Sequence, residues 1–108
     1  MSHLILDIYT HTRYTATELL HLMKRICNHY RFNVLNEFSH QFVPDGETAI
    51  LALQESHFSI HTYPEKSQVA VDLYTCKKHD WKRLQAIRDD LLREFNGSSK
   101  CDVILERP

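Results

Sequence analysis

Apolar residues recur at every second position through the middle of this chain. Phe58 and Ile60 alternate with His57, Ser59, His61 and Tyr63, while Val69, Val71 and Leu73 alternate with Ala70, Asp72, Tyr74 and Cys76. That period belongs to β-strands with one covered face. Strand-like stretches run over residues 33–43, 48–54, 57–63 and 68–76, and Pro44-Asp45-Gly46 and Pro64-Glu65-Lys66-Ser67 are the turn signals among them. Connections this short force consecutive strands to run antiparallel.

The flanks read differently. Residues 3–9 form a strand, with Leu4, Leu6 and Ile8 on one face. Thr15 with Glu18 three positions on is a capping box, and the helix it opens carries Leu19, Leu22, Met23, Ile26, Cys27 and Tyr30 at spacings of three and four. Cys27 on that stripe reads as a packed thiol. A second helix over 80–95 turns Trp81, Leu84, Ile87, Leu91, Leu92 and Phe95 inward, and Asn96-Gly97 closes it as a left-handed C-cap. Residues 100–106 form a last strand. The order β-α-β-β then β-β-α-β predicts an α+β protein: a two-layer α/β sandwich, a mostly antiparallel sheet with both helices on one face. The other face would display His, Ser, Tyr, Asp and Cys, which suits solvent, a partner surface or an active site.

Composition narrows the functional classes. At 108 residues the chain is one expected domain, spanning 1–108, with 43% hydrophobic and 25% charged residues. Thirteen basic against 14 acidic residues leave a net charge of −1, without the footprint of a nucleic-acid binder. Leu4-Ile5-Leu6 stops at Asp7, so neither a signal peptide nor a membrane helix is expected. With Gly46 and Gly97 as the only glycines, no dinucleotide fingerprint, Walker A loop or Gly-x-Ser-x-Gly elbow exists. Three cysteines without Cys-x-x-Cys spacing speak against a disulfide framework or zinc ribbon and fit a reducing cytoplasm.

His57 and His61 share the spacing of a helical zinc motif, but on a strand four residues span about 13 Å, too far for one ion. No metal site is expected. The block Glu55-Ser56-His57-Phe58-Ser59-Ile60-His61-Thr62-Tyr63-Pro64-Glu65, with Cys76 twenty positions beyond Ser56, places a Ser, a His and a Cys on or beside one polar face. Spacing alone favours a plain strand with a hydroxyl at its start.

This block resembles the processing signature of the prokaryotic pyruvoyl-dependent S-adenosylmethionine decarboxylases, Glu-Ser-His-x-(Ser/Thr)-Ile-His-Thr-Trp-Pro-Glu. Ala70-Val71-Asp72-Leu73-Tyr74-Thr75-Cys76 resembles its partner motif, and Phe42-Val43-Pro44-x-Gly46 extends the likeness. The resemblance implies self-cleavage between Glu55 and Ser56 by an N-to-O acyl shift. A β chain 1–55 and an α chain 56–108 would result, the latter starting with a pyruvoyl cofactor derived from Ser56. It implies that the pyruvoyl ketone forms a Schiff base with the substrate amine and takes up the electron pair left by CO₂. His61 would assist processing as a proton-transfer group, Cys76 would protonate the product carbon, and Thr48 would stand where the family has a Ser that aids processing. Phe42 would stack on adenine, Glu65 would hold ribose hydroxyls, and Phe58 joins the substrate-binding set. Read without the resemblance, Phe42 is equally a core residue at a strand end and Glu65 a solvated turn residue. A homodimer is also implied, two sheets pairing into four αββα layers.

Departures from the family pattern bear on the substrate. Where the family reads x-Gly-Val-Ser-Gly, this chain has Asp45-Gly46-Glu47-Thr48-Ala49; Tyr63 replaces Trp, and Lys66-Ser67-Gln68 replaces Tyr-Gly-Tyr. Asp45 and Glu47 are candidate partners for a cationic substrate, as in relatives that decarboxylate L-ornithine or L-arginine, or are simply solvated acids in a turn. S-Adenosylmethionine is the first expectation and a basic amino acid the alternative. A non-catalytic regulatory homologue ranks below both, because Ser56, His61 and Cys76 are all present.

Overall fold

The computed structural model describes residues 1–108. The elements in chain order are β1 (Ser2–Tyr9), α1 (Ala16–His29), β2 (Val34–Gln41), β3 (Glu47–Leu53), β4 (Ser56–Tyr63), a 3₁₀ turn (Pro64–Lys66), β5 (Gln68–Thr75), α2 (Trp81–Glu94) and β6 (Ser98–Glu106). All six expected strands and both helices are present. The sheet order is β2-β3-β4-β5-β1-β6. Every neighbouring pair is antiparallel, so the sheet is wholly rather than mostly so.

The two helices cover one face. Leu4, Leu6 and Ile8 of β1 stand opposite Leu73, Val71 and Val69 of β5. Phe58 and Ile60 of β4 continue the row opposite Leu73 and Val71, with Leu51 and Ala49 of β3 beyond them. All are buried with Leu19, Met23, Ile26, Leu84, Ile87 and Leu91 of the helices in one core. Each large apolar side chain placed there is worth about 1.5–3 kcal/mol relative to exposure. The helices are also linked: Arg25 of α1 pairs with Glu94 of α2, and the Tyr14 and Phe95 rings, just before α1 and just after α2, pack edge to face at 5.2 Å.

Local signals explain the boundaries. The expected capping box forms: the Glu18 N–H donates to Thr15 Oγ1 at 3.1 Å, and the Thr15 N–H donates to Glu18 Oε1 at 2.8 Å. Cys27 is fully buried, and burial pushes its thiol up to about 12, which makes it inert. After α2 it is Asn96, at φ 46°, that takes the left-handed position. Its N–H bonds Arg93 O, and the Gly97 N–H bonds Leu92 O, a Schellman closure. Gly97 serves close packing instead, since a Cβ there would sit 2.5 Å from Ile8 Cγ2 and 2.7 Å from Tyr9 O.

Trp81 corrects the sequence reading. Expected to face inward, it is 45% exposed. As the first residue of α2 it precedes the stretch that crosses the sheet, and helical periodicity carries no information about where that crossing starts. Asp80 just before it is 5% exposed and accepts from Thr75 Oγ1 at 3.1 Å.

The chain ends are pinned together at the β1–β6 edge. The Glu106 carboxylate accepts from Ser2 Oγ at 2.7 Å, from the His79 N–H at 3.0 Å and from the Met1 ammonium at 3.3 Å. These bonds, the Ser2 hydroxyl first, hold its pKa down to about 2 from an ordinary 4.5.

Two outcomes are expected. Gly97→Ala should destabilise the chain by about 1–3 kcal/mol in urea unfolding, because the new methyl meets both the branched Ile8 side chain and the Tyr9 backbone oxygen. Glu106 is favoured in its charged form by folding, so its stabilisation is complete above pH 4.5 and disappears as pH falls towards 2. Glu106→Gln should therefore melt below the wild type at pH 7, and the gap should close across that acid range; a gap independent of pH would refute the assignment.

Candidate active site

The structure divides the expected site residues between the two ends of β4. At the first end, Gln54 and Glu55 make the β3–β4 turn, with Glu55 at φ 63°. A non-glycine residue held there stores local strain, and it directly precedes the Glu55–Ser56 bond. Ser56 opens β4 opposite Leu53. Cys76 follows the last residue of β5, and its thiol donates to Glu55 Oε2 at 3.3 Å. That bond pushes the Cys76 thiol above its ordinary value. A pocket of about 240 Å³ opens beside Ser56, Glu55 and Cys76.

The wall of this pocket is built by residues that sequence reasoning missed. Arg83 is held by Asp80 (Nε to Oδ2, 2.9 Å), by Tyr30 O at 3.0 Å and by the Phe32 ring 4.0 Å beneath its guanidinium. Asp80 and Arg83 sit three apart at a helix start, which was a visible spacing, but nothing in it pointed towards Ser56.

At the other end, His61 stands opposite Thr48 across β3–β4, with Thr48 Oγ1 hydrogen-bonded to His61 Nδ1 at 2.8 Å. Thr48 is nearly buried. The threonine hydroxyl therefore reaches the imidazole as a serine hydroxyl would. A pocket of about 360 Å³ adjoins this pair, lined among others by Phe42, Glu47, Glu65 and Tyr63. Phe42 is half exposed and packs edge to face with His40 at 4.6 Å, so it is not core. Gly46 turns the chain at φ 102°, a conformation that side chains disfavour. Asp45 pairs with Arg13 at 3.1 Å, whereas Glu47 is 7% exposed and bonds through its backbone N–H to Thr62 Oγ1.

Two expectations meet strand geometry here. Ser56 and His61 are five positions apart on one strand, about 16 Å, and odd against even parity puts them on opposite faces. One copy of the chain does not bring them together. Phe58, expected among the substrate contacts, is fully buried and packs in the core beneath the sheet; its parity with Ile60 puts it on the helix side, and that assignment is corrected. His57 stacks on Tyr74 at 5.4 Å, which gives it a partner of its own away from His61.

The architecture and the two half-sites can now be set beside known proteins. The family profile for S-adenosylmethionine decarboxylase matches residues 2–98. The chain belongs to this family. A decarboxylase proenzyme of a Synechococcus strain is 47% identical over 60 residues, covering 54% of this chain and 47% of that relative. The proenzyme of Parasynechococcus marenigrum is 43% identical over 78 residues, covering 65% and 61%. The matches thus span about half the length of these curated relatives. The crystal structure of the adenosylmethionine decarboxylase from Aquifex aeolicus superimposes with a TM-score of 0.83 at 26% identity, covering 98% of this chain and 88% of that one. No helix is long and apolar enough to cross a membrane.

The Thr48–His61 bond makes a prediction. Thr48→Val keeps the shape but leaves His61 Nδ1 without its partner, a loss of about 1–3 kcal/mol. The self-cleavage that the family resemblance implies, followed by intact mass, should slow by about 5- to 150-fold, while Thr48→Ser should cut at close to the wild-type rate. Equal rates in Thr48→Val and wild type would remove the hydroxyl from processing.

Proposed function

We propose that this chain is the proenzyme of a self-processing pyruvoyl-dependent decarboxylase that converts S-adenosylmethionine to its decarboxylated form and CO₂, a step of polyamine biosynthesis. The observation that carries the reading is the convergence of Ser56, the strained Glu55 and the Cys76 thiol at one pocket. Ser56 Oγ attacks the Glu55 carbonyl carbon and the peptide C–N bond breaks, giving an ester. Loss of the Ser56 Cα proton then expels the Glu55 carboxylate, and water releases ammonia. The donor set fits a pyruvoyl group at position 56: a hydroxyl to form it, an acid beside it and a pocket for the substrate. When present, that group supplies the electron sink for loss of CO₂. Cys76 then returns a proton to the carbon that CO₂ has left. Phe42 offers an exposed aromatic face for the adenine, and Glu65 at the rim of the same pocket offers a carboxylate to the ribose hydroxyls.

His61 takes part through a second copy. The helix-free face carries apolar side chains, among them Ile5, Ile50, Phe38, Val103 and Leu105, the last three well exposed. A twofold axis across the strands pairs two such faces into an αββα dimer and lays the Ser56 end of one copy over the His61 end of the other. Each active site then brings Cys76 of one chain, on the helix-free side, towards Thr48, His61, Phe42 and Glu65 of its partner, and Ser56, which starts on the helix side, joins them around the β4 end where the chain turns at Glu55.

One feature favours decarboxylation of L-ornithine or L-arginine as a second reading. Glu47 lines the pocket of Phe42 with a carboxylate that takes neither hydrogen bond nor ion pair, and a distal ammonium or guanidinium would satisfy it.

Intact mass and CO₂ release test both. Purified wild type is expected as two chains split at Glu55–Ser56, with CO₂ released from S-adenosylmethionine; Ser56→Ala is expected as one inactive chain. Cleavage of Ser56→Ala would overturn the assignment, and turnover of ornithine or arginine but not the nucleoside would reverse the order of substrates.

A further inference from the structure

The end of the sheet ladder sets Cys76 against one particular side chain. The β4–β5 ladder ends where His57 is paired with Tyr74, and just beyond it the β3–β4 turn brings Glu55 beside Cys76. The thiol and carboxylate meet at 3.3 Å. The contact is carried by two residues on either side of the Ser56 pocket.

We propose that Glu55 is a positioning residue for the protonation step: its carboxylate accepts the Cys76 S–H and keeps the sulfur in its acid form beside position 56. This rests on the roles of Ser56 and Cys76 given above and adds one for Glu55 that outlasts cleavage. The demand is chemical. A thiol that must deliver a proton has to carry one at neutral pH, and a carboxylate that accepts its S–H holds the proton on sulfur. Arg31, Lys77 and Arg83 line the same pocket, and the Met1 ammonium pulls the thiol down. Arg83 is committed to Asp80 and Tyr30 O, and Glu55 makes the side-chain contact to the sulfur. The hydrogen bond to Glu55, with a smaller push from burial and from the carboxylate charge, outweighs the Met1 ammonium, and the thiol stays high.

Cleavage strengthens the arrangement. Breaking the Glu55–Ser56 bond leaves Glu55 as a chain end with a second, main-chain carboxylate, and both charges oppose ionisation of the thiol. During turnover the S–H proton moves to the carbon that CO₂ has left. The electron pair on that carbon becomes the new C–H bond, the S–H pair remains on sulfur, and water reprotonates the thiolate.

Thiol chemistry tests this apart from turnover. Iodoacetamide alkylation of Cys76 is followed against pH by peptide mass in the full-length uncut Ser56→Ala chain, with and without Glu55→Gln, and in processed wild type. The buried Cys27 reports whether each variant is folded, and Cys101 is the reference thiol. Glu55→Gln should move the Cys76 midpoint down, making alkylation at neutral pH several-fold faster, and Glu55→Asp should restore most of the shift. An unchanged Cys76 profile in Glu55→Gln, or an equal change at Cys101, would overturn the proposal. Failure of wild type to cut would strike the processing reading instead, and intact mass detects that separately.

Discussion

The antiparallel register of β3, β4 and β5 is the constraint on which the rest of this molecule depends. Phe58 and Ile60 of β4 are locked between Leu51 and Ala49 on one side and Leu73 and Val71 on the other, all beneath the helices. A slip of one residue would turn both out of the core and put His57, Ser59 and His61 into it. Burial of two large apolar side chains against three unpaired polar ones decides that choice by several kcal/mol. With the register set, His61 has to face Thr48, and the strand ends next to Ser56 bring Glu55 and Cys76 together.

That same register explains why the chemistry is distributed as it is. A strand separates neighbours in sequence by about 3.3 Å each, so a compact motif of eleven residues is stretched over the whole length of β4. Its serine ends beside the β5 terminus and its histidine beside the β2–β3 turn. Each end gathers its partners across the ladder rather than along the chain. The two ends of β4 thus hold different sets of partners, and the helix-free face carries exposed Phe38, Val103 and Leu105.

Much of the fold was legible because its signals are local. The Thr15–Glu18 box, the α1 stripe ending in Cys27 and the period-two strands each depend on residues within one element, and each was found where expected. Misreadings arose where a side chain's meaning depends on what lies above it. Trp81 has the right helical phase but precedes the crossing over the sheet. Phe58 sits within a functional motif, yet its parity makes it core. At Asn96-Gly97 the turn was readable, while the division of labour was not: Asn96 tolerates positive φ, and Gly97 yields to Ile8 and Tyr9, which approach from a strand nearly ninety positions away.

By itself the amino-acid sequence determined the element order, the covered face of each strand and the presence of Ser, His, Cys and carboxylates in a recognisable pattern. These follow from side-chain period and chemical identity. Tertiary structure alone decided that Ser56 and His61 stand apart, that Thr48 reaches the imidazole, that Asp45 is engaged by Arg13 while Glu47 stays unpaired, and that the thiol of Cys76 rests on Glu55. Those pairings are set by the sheet ladder and by loops that meet only when the core closes. No spacing along the chain encodes them.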